Sequence, residues 1–149
     1  MLRELNEMQI NNLLISQSIG RIGCIKGKQP YIIPVIYIYD GKDIYGQSHP
    51  GMKIDLMREN PSVCFQVDMV LNLGHWQSVL GYGTFEELDG IEANNAREYL
   101  NKSIMPLMSG HLMYAHPEEE TDVMEECDIN NPTMYRINLK EKTGWFERQ

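Results

Sequence analysis

The 149-residue sequence predicts a mainly β domain: about six antiparallel strands rolled into a small barrel, with two to four peripheral helices. Three observations carry this. First, Gln29 to Asp40 alternates with apolar residues on both faces and ends in Asp40-Gly41, a hairpin signal. Second, Val63, Phe65 and Val67 alternate with Ser62, Cys64 and Gln66. Third, Trp76 to Leu88 reads as a long strand with Gly81 and Gly83 near its middle, where interior glycines mark a barrel corner. Strands joined as hairpins in this number avoid bare edges by closing on themselves.

The elements follow in order. Leu5 to Gln17 places Leu5, Met8, Ile10, Leu13 and Leu14 close to helical spacing, so an amphipathic helix opens the chain. Gly20 to Ile25 is a short strand closed by the Lys26-Gly27-Lys28 turn. In the next strand Tyr31, Ile33, Val35, Tyr37 and Tyr39 share one face, and Ile32, Pro34, Ile36 and Ile38 the other. Both faces therefore need cover, and Pro34, which has no N–H, demands an edge or a bulge. Ile44 to Gln47 returns antiparallel. A helix spans Gly51 to Asn60, and Pro61 restarts the chain. Met69 to Gly74 is a connection without a clear pattern. Asn94 to Lys102 is helical, and Tyr135 to Leu139 is a last strand. Between them, Ile104 to Asp128 is Met-rich and then acidic; Met105, Met108 and Met113 read as core or interface filler, and Glu118-Glu119-Glu120 as a solvated segment.

Composition narrows the class. Hydrophobic residues make up 42% and charged residues 23%, as in an ordinary globular domain, and residues 1–149 read as one domain. A formal net charge of -8 argues against non-specific nucleic-acid binding. No apolar run approaches the ~18 residues of a membrane span, and the charged start Met1-Leu2-Arg3-Glu4 is unlike a secretory leader. Cys24, Cys64 and Cys127 form neither a disulfide framework nor a metal-ligand spacing, so a cytoplasmic protein without a metal is expected.

The chemistry concentrates in Gly46 to Pro61. Ser48 is a good N-cap, Pro50 suits an early helical position, Gly51 permits close approach, and Lys53 lies near the free amides of the helix start. Uncapped amides, a hydroxyl and an ammonium make an anion site. Alternatively, Ser48 merely caps a surface helix and Lys53 is solvated.

With its Gln29-Pro30-Tyr31 opening, the Asp40-Gly41 hairpin, the Ser48–Pro61 loop and helix with Lys53, and Trp76-Gln77-Ser78-Val79-Leu80-Gly81-Tyr82-Gly83, the chain resembles the FMN-binding split β-barrel family of the pyridoxamine 5′-phosphate oxidases. Gly20-Arg21-Ile22-Gly23, His49, the Trp76-Gln77-Ser78-Val79 run and Arg136-Ile137…Thr143-Gly144 make it most similar to the Nim-type 5-nitroimidazole resistance branch. The resemblance implies a six-stranded antiparallel split β-barrel and a homodimer with flavin at the subunit interface. FMN is the expected cofactor, with FAD an option. Backbone groups near Ile33, Pro34, Val35 and Ile36 would face the flavin ring. Gln47, Ser48, His49, Met52 and Lys53 would hold its phosphate, and Gln77 and Ser78 of the other subunit would complete the site. Met52 stands where the oxidases carry an arginine, and the oxidases' substrate-phosphate residues have no counterpart, so the oxidase reaction itself is not expected. The implied activity is reduction of a small electron acceptor such as a nitroimidazole.

His49 is the candidate catalytic residue, because imidazole exchanges protons near neutral pH; a purely structural role for it stands beside that one. His75, His111 and His116 share no metal spacing, Trp76 and Trp145 are interface or core candidates, and Arg21 is expected to pair with an acid. A non-catalytic flavin carrier, or a haem protein recruiting His49, His111 or His116, is the alternative.

Overall fold

The computed structural model describes residues 1–112 and 132–149. Met113, His116, the Glu118–Glu120 run and Cys127 lie outside the described residues, as do the side chains of Met105, Met108 and His111.

The chain runs β1 (Arg3–Glu4), α1 (Glu7–Ser16), β2 (Ile19–Lys26), β3 (Gln29–Ile36), β4 (Ile38–Tyr39), β5 (Asp43–Ser48), α2 (Met52–Glu59), β6 (Ser62–Asn72), β7 (His75–Glu87), α3 (Gly90–Leu112) and β8 (Thr133–Arg148). Eight strands replace the expected six, because β1 and β4 are two-residue pieces too short to show a pattern in sequence. All pair antiparallel in one sheet of order β3-β2-β6-β7-β8-β5-β4, with β1 on β8.

The two ends of that order, β3 and β4, are one continuous stretch of chain broken at Tyr37. The stretch leaves β2 at Ile36 and joins β5 at Ile38, so the sheet rolls until its opposite edges meet in the same segment. Tyr37 anchors the break: its N–H donates to the Ser18 carbonyl at 3.0 Å and its hydroxyl to the Leu14 carbonyl of α1 at 2.6 Å. The expected single strand from Gln29 to Asp40 is therefore two strands on opposite edges. Pro34 sits on β3, which pairs with β2 alone on this path, so its missing N–H leaves no ladder bond unmade.

Local chemistry explains the remaining elements. Asn6 and Gln9 form a reciprocal capping box at the start of α1, and Ile10, Leu13 and Leu14 turn its apolar stripe into the core, while Met8 stays exposed. Asp40 accepts from the amides of Lys42 and Asp43, and Gly41 at φ 98° closes the hairpin. Met69 to Gly74, unpatterned in sequence, extends β6 and turns into β7. The ladder shifts register between Tyr82 and Gly83, at the expected corner, where a side chain on Gly83 would collide with the Asn138 carbonyl oxygen.

The core lies inside the roll: Ile22, Phe65, Val67, Ile44, Ile54, Met57, Tyr135 and Ile137 are almost wholly buried, with Tyr37 edge-on to Phe65 at 4.7 Å. A second, smaller core forms where α3 lies against the outside of β5, with Ala93, Ala96, Leu100 and Ile104 packed against Ile38, Met134 and Tyr45. Ladder neighbours share a face, so Ile32, Gly23, Cys64, Tyr82 and Glu141 form one row across the outer face of β3, β2, β6, β7 and β8. Cys24 is buried, whereas Cys64 sits half-buried in that row, its sulfur over Gly23.

Candidate functional site

Rolling the sheet brings the edge strand β3 alongside the end of β5. A cavity of about 480 Å³ opens there, lined by Pro34, Val35 and Ile36 of β3, Gln47, Ser48 and His49 at the end of β5, and Lys53 of α2. Leu100, Asn101 and Ile104 of α3 and Pro132 close its far side. The volume falls within the ~300–1,000 Å³ typical of small-molecule sites.

The local sequence dictates how each group is presented. In β5 the inward positions Ile44, Gly46 and Ser48 are buried and Gln47 points outward. The chain then breaks at His49-Pro50 and restarts as α2. Gly51, rather than the expected Ser48, is the N-cap, and it has no side chain with which to satisfy the first-turn amides. Ser48 instead belongs to β5 and donates its hydroxyl proton to the His49 carbonyl at 3.0 Å, holding the loop. Among the described residues no side chain caps the start of α2, and Lys53 of its first turn lines the cavity; helix-start amides with a nearby ammonium suit an anion. Among the described residues lining the cavity there is no carboxylate to oppose that charge. On the other side of α2, Arg58 forks onto Glu87 of β7 at 2.7 and 2.8 Å, fixing the helix against the sheet. That pairing holds the Glu87 carboxyl below the usual carboxylate range.

Of the predicted site residues, Pro34, Val35, Ile36, Gln47, Ser48, His49 and Lys53 come together in this cavity. Four do not line it. Ile33 packs against the main core on the same face as Val35, one strand repeat before the cavity. Met52 is half exposed at the helix start. Gln77 and Ser78 lie across the sheet, where Ser78 accepts from Gln66 at 3.2 Å in a polar cluster with Asp68 and Arg21. Arg21 thus pairs with an acid as expected, at 3.6 Å from Asp68. Leu100, Asn101 and Ile104 were not among the predicted site residues: an i, i+1, i+4 set is ordinary on a helix, and nothing local says which element α3 will cover.

The donor set suits a ligand with one anionic end and one flat apolar end. The amides of α2 and the Lys53 ammonium supply charge, Gln47, Ser48 and His49 supply directional hydrogen bonds, and Pro34, Val35, Ile36, Leu100 and Ile104 supply an apolar wall. A flavin mononucleotide unit has that polarity.

A family model described as pyridoxamine 5′-phosphate oxidase matches residues 6–144. The chain belongs to the pyridoxamine 5′-phosphate oxidase family. Among the relatives, an uncharacterized protein of Rhizobium meliloti is 34% identical over 86 residues, and the match spans 58% of this chain and 57% of that protein, so the chain matches little more than half of its relative's length. An FAD-binding protein of Mesorhizobium loti superposes with a TM-score of 0.80 at 27% identity, covering 100% of this chain and 98% of the other. A candidate 5-nitroimidazole antibiotic resistance protein of Bacteroides thetaiotaomicron superposes with a TM-score of 0.68, covering 98% and 87%; its 16% identity supports the fold alone. Family membership places the chain in a flavin-binding superfamily, and among the described residues no helix is long and apolar enough to cross a membrane.

Proposed function

We propose that this protein is a flavin-dependent oxidoreductase that reduces a small electron acceptor, a nitroimidazole nitro group being the acceptor class. One observation carries the flavin reading: the edge strand Pro34–Ile36, the Gln47–His49 segment and Lys53 converge on one cavity that is cationic at one end and apolar along its length. Lys53 and the α2 amides would hold the phosphate, Pro34, Val35 and Ile36 would wall the ring, and Gln47 and Ser48 would take hydrogen bonds from the ribityl chain. A bound flavin supplies two-electron redox chemistry; the protein supplies position and electrostatics. His49, which lines the cavity, would donate an N–H hydrogen bond to a nitro or carboxylate oxygen of the acceptor. The Mesorhizobium loti relative, an FAD-binding protein of the same fold, supports flavin over other planar anions.

The reading includes a second copy of the chain. The outer sheet face exposes Ile19, Ile32, Ile36, Tyr82 and Trp145, with Ile32 71% exposed, around the Arg21–Asp68–Gln66–Ser78 cluster. A sheet apolar on both faces calls for cover on both. A homodimer through this face would bury those residues and bring Gln77 and Ser78 towards the other copy's cavity.

The test is the absorption spectrum of the purified protein, followed by anaerobic reduction with reduced nicotinamide cofactor and reoxidation with a nitroimidazole. Flavin bands that bleach and return support the enzyme. Bands that persist unchanged would leave a flavin carrier, and a colourless protein that takes up neither FMN nor FAD would remove the flavin reading. Lys53→Ala should weaken flavin retention about 10- to 100-fold, the value of one charge-assisted hydrogen bond of ~1.5–3 kcal/mol.

A further inference from the structure

The backbone of β3 has a fixed phase. Tyr37, directly after it, donates its N–H to the Ser18 carbonyl at 3.0 Å, on the side of β2. Opposite residues of an antiparallel ladder alternate between pairs that exchange hydrogen bonds and pairs that do not. In twos from Tyr37, the bonding positions are therefore Val35, Ile33 and Tyr31, opposite Gly20, Ile22 and Cys24. Ile36, Pro34, Ile32 and Pro30 turn their backbone groups the other way, towards the free edge. Both prolines of the strand fall in that outward set, where a missing N–H costs the ladder nothing.

In every other respect this edge invites another strand. It is eight residues long, and Tyr31, Ile32, Ile33, Val35 and Ile36 all favour extended chain. Ile32 and Ile36 are exposed, and no charged residue occurs between Lys28 and Asp40. Long, apolar, uncharged edges are the ones that pair with a neighbouring molecule. Proteins blunt them with a lysine, a bulge, a proline or a covering element. Here there is no charge, and the register with β2 is unbroken from Lys26–Gln29 to Ile19–Ile36, so there is no bulge. Among the described residues β3 pairs with β2 alone. The prolines are the guard that is left. They remove two of the outward donors, and each ring stands where an N–H would meet an incoming strand. The donors that stay, on Ile32 and Ile36, lie about 13 Å apart. The consequence reaches the candidate site, because Pro34, Val35 and Ile36 form one wall of its cavity and a strand added along Ile32 to Ile36 would cover that wall.

We propose that Pro30 and Pro34 together close the free edge of β3 to strand addition by a second copy of this chain. The two prolines leave the strand its ladder with β2 and deny the same ladder to a neighbour. Self-association is thereby directed away from the edge, and the β3 wall of the cavity stays bare. This holds whichever ligand the cavity takes, so it stands or falls apart from the flavin reading.

Sedimentation velocity of wild type and of the double variant Pro30→Val/Pro34→Val, over a range of concentrations, tests it, with circular dichroism to check the fold. The variant should assemble beyond the wild-type state at concentrations lower by about tenfold or more. Hydrogen exchange shows where the new contact lies: the Ile32 amide should exchange freely in wild type and slow by about tenfold or more in the assembled variant. A folded double variant that keeps the wild-type size throughout would overturn the proposal. So would assembly without protection of the Ile32 amide, because the contact would then lie elsewhere, and so would an Ile32 amide already as protected in wild type as those of the ladder. If the double variant loses its fold, Pro30→Val alone decides by the same two measurements: stronger assembly with a slowed Ile32 amide supports the guard, and wild-type behaviour removes it.

Discussion

Tyr135→Phe should stabilise this protein. Tyr135 is wholly buried, pairs with Gly46 across the β5–β8 ladder and stacks obliquely on Phe85 with ring centroids 5.6 Å apart. Its hydroxyl lies over the Gly46 α-carbon and has no hydrogen-bond partner among the described residues. Burial alone pushes its pKa above the ordinary tyrosine range. A buried hydroxyl without a partner costs about 1–3 kcal/mol of desolvation that phenylalanine does not incur, and the ring contacts are retained. The expected gain is about 1–2 kcal/mol, which for a chain of this length raises Tm by roughly 2–4 °C per kcal/mol. Urea titration followed by circular dichroism checks it, with an unchanged m-value as the sign that the denatured state is not what moved. A loss of more than about 1 kcal/mol at constant m would refute the reasoning, because it would mean that the hydroxyl has a partner worth more than its desolvation.

Three further outcomes are expected. Gly83→Ala should destabilise by about 1–3 kcal/mol, since its Cβ would meet the backbone oxygen of Asn138, which cannot swing aside; thermal melts compared with Gly27→Ala, which strains a surface turn without any contact, separate collision from backbone strain. Arg58→Ala should cost little stability, because both partners are partly exposed. Glu87 has its pKa lowered by Arg58, so the pair's contribution is present above the unfolded carboxylate pKa and is lost as pH falls through the lowered folded value; the variant should therefore differ from wild type at pH 7 and converge with it in acid. Asp43 runs the other way: it is 5% exposed, and burial, followed by the neighbouring Asp40 charge, raises its pKa although Asn138 donates to it at 3.0 Å. Its ionisation in the folded state costs stability as pH rises past the unfolded aspartate pKa, so Asp43→Asn should be more stable than wild type at pH 7 and should lose that advantage at about pH 3 in chemical denaturation.

Much of the sheet was legible because the information is local. Alternation in Val63–Val67, the Asp40-Gly41 turn, Pro34 on an edge and glycines at a corner each follow from one residue's own stereochemistry, and the structure bears each out. The break at Tyr37 was not legible, since Gln29 to Asp40 alternates without interruption; what divides it is the Tyr37 hydroxyl reaching Leu14, a contact made only after α1 has docked. The full length of β8 was hidden for a related reason. Lys140 to Arg148 is polar and weakly patterned, and it is a strand because β7 lies beside it through the whole register.

The sequence by itself determined that a loop and a helix start carrying Lys53 come after a strand that is apolar on both faces, because helix starts, turn residues and proline restrictions act within a few residues. The tertiary structure alone decided that Pro34–Ile36, Gln47–His49 and Lys53 line one cavity, and that α3 supplies Leu100, Asn101 and Ile104 to its far wall. The reason is geometric: those residues meet only when the sheet rolls and α3 buries its apolar stripe against β5. That choice is made by complementary surfaces and not by any residue's own preference.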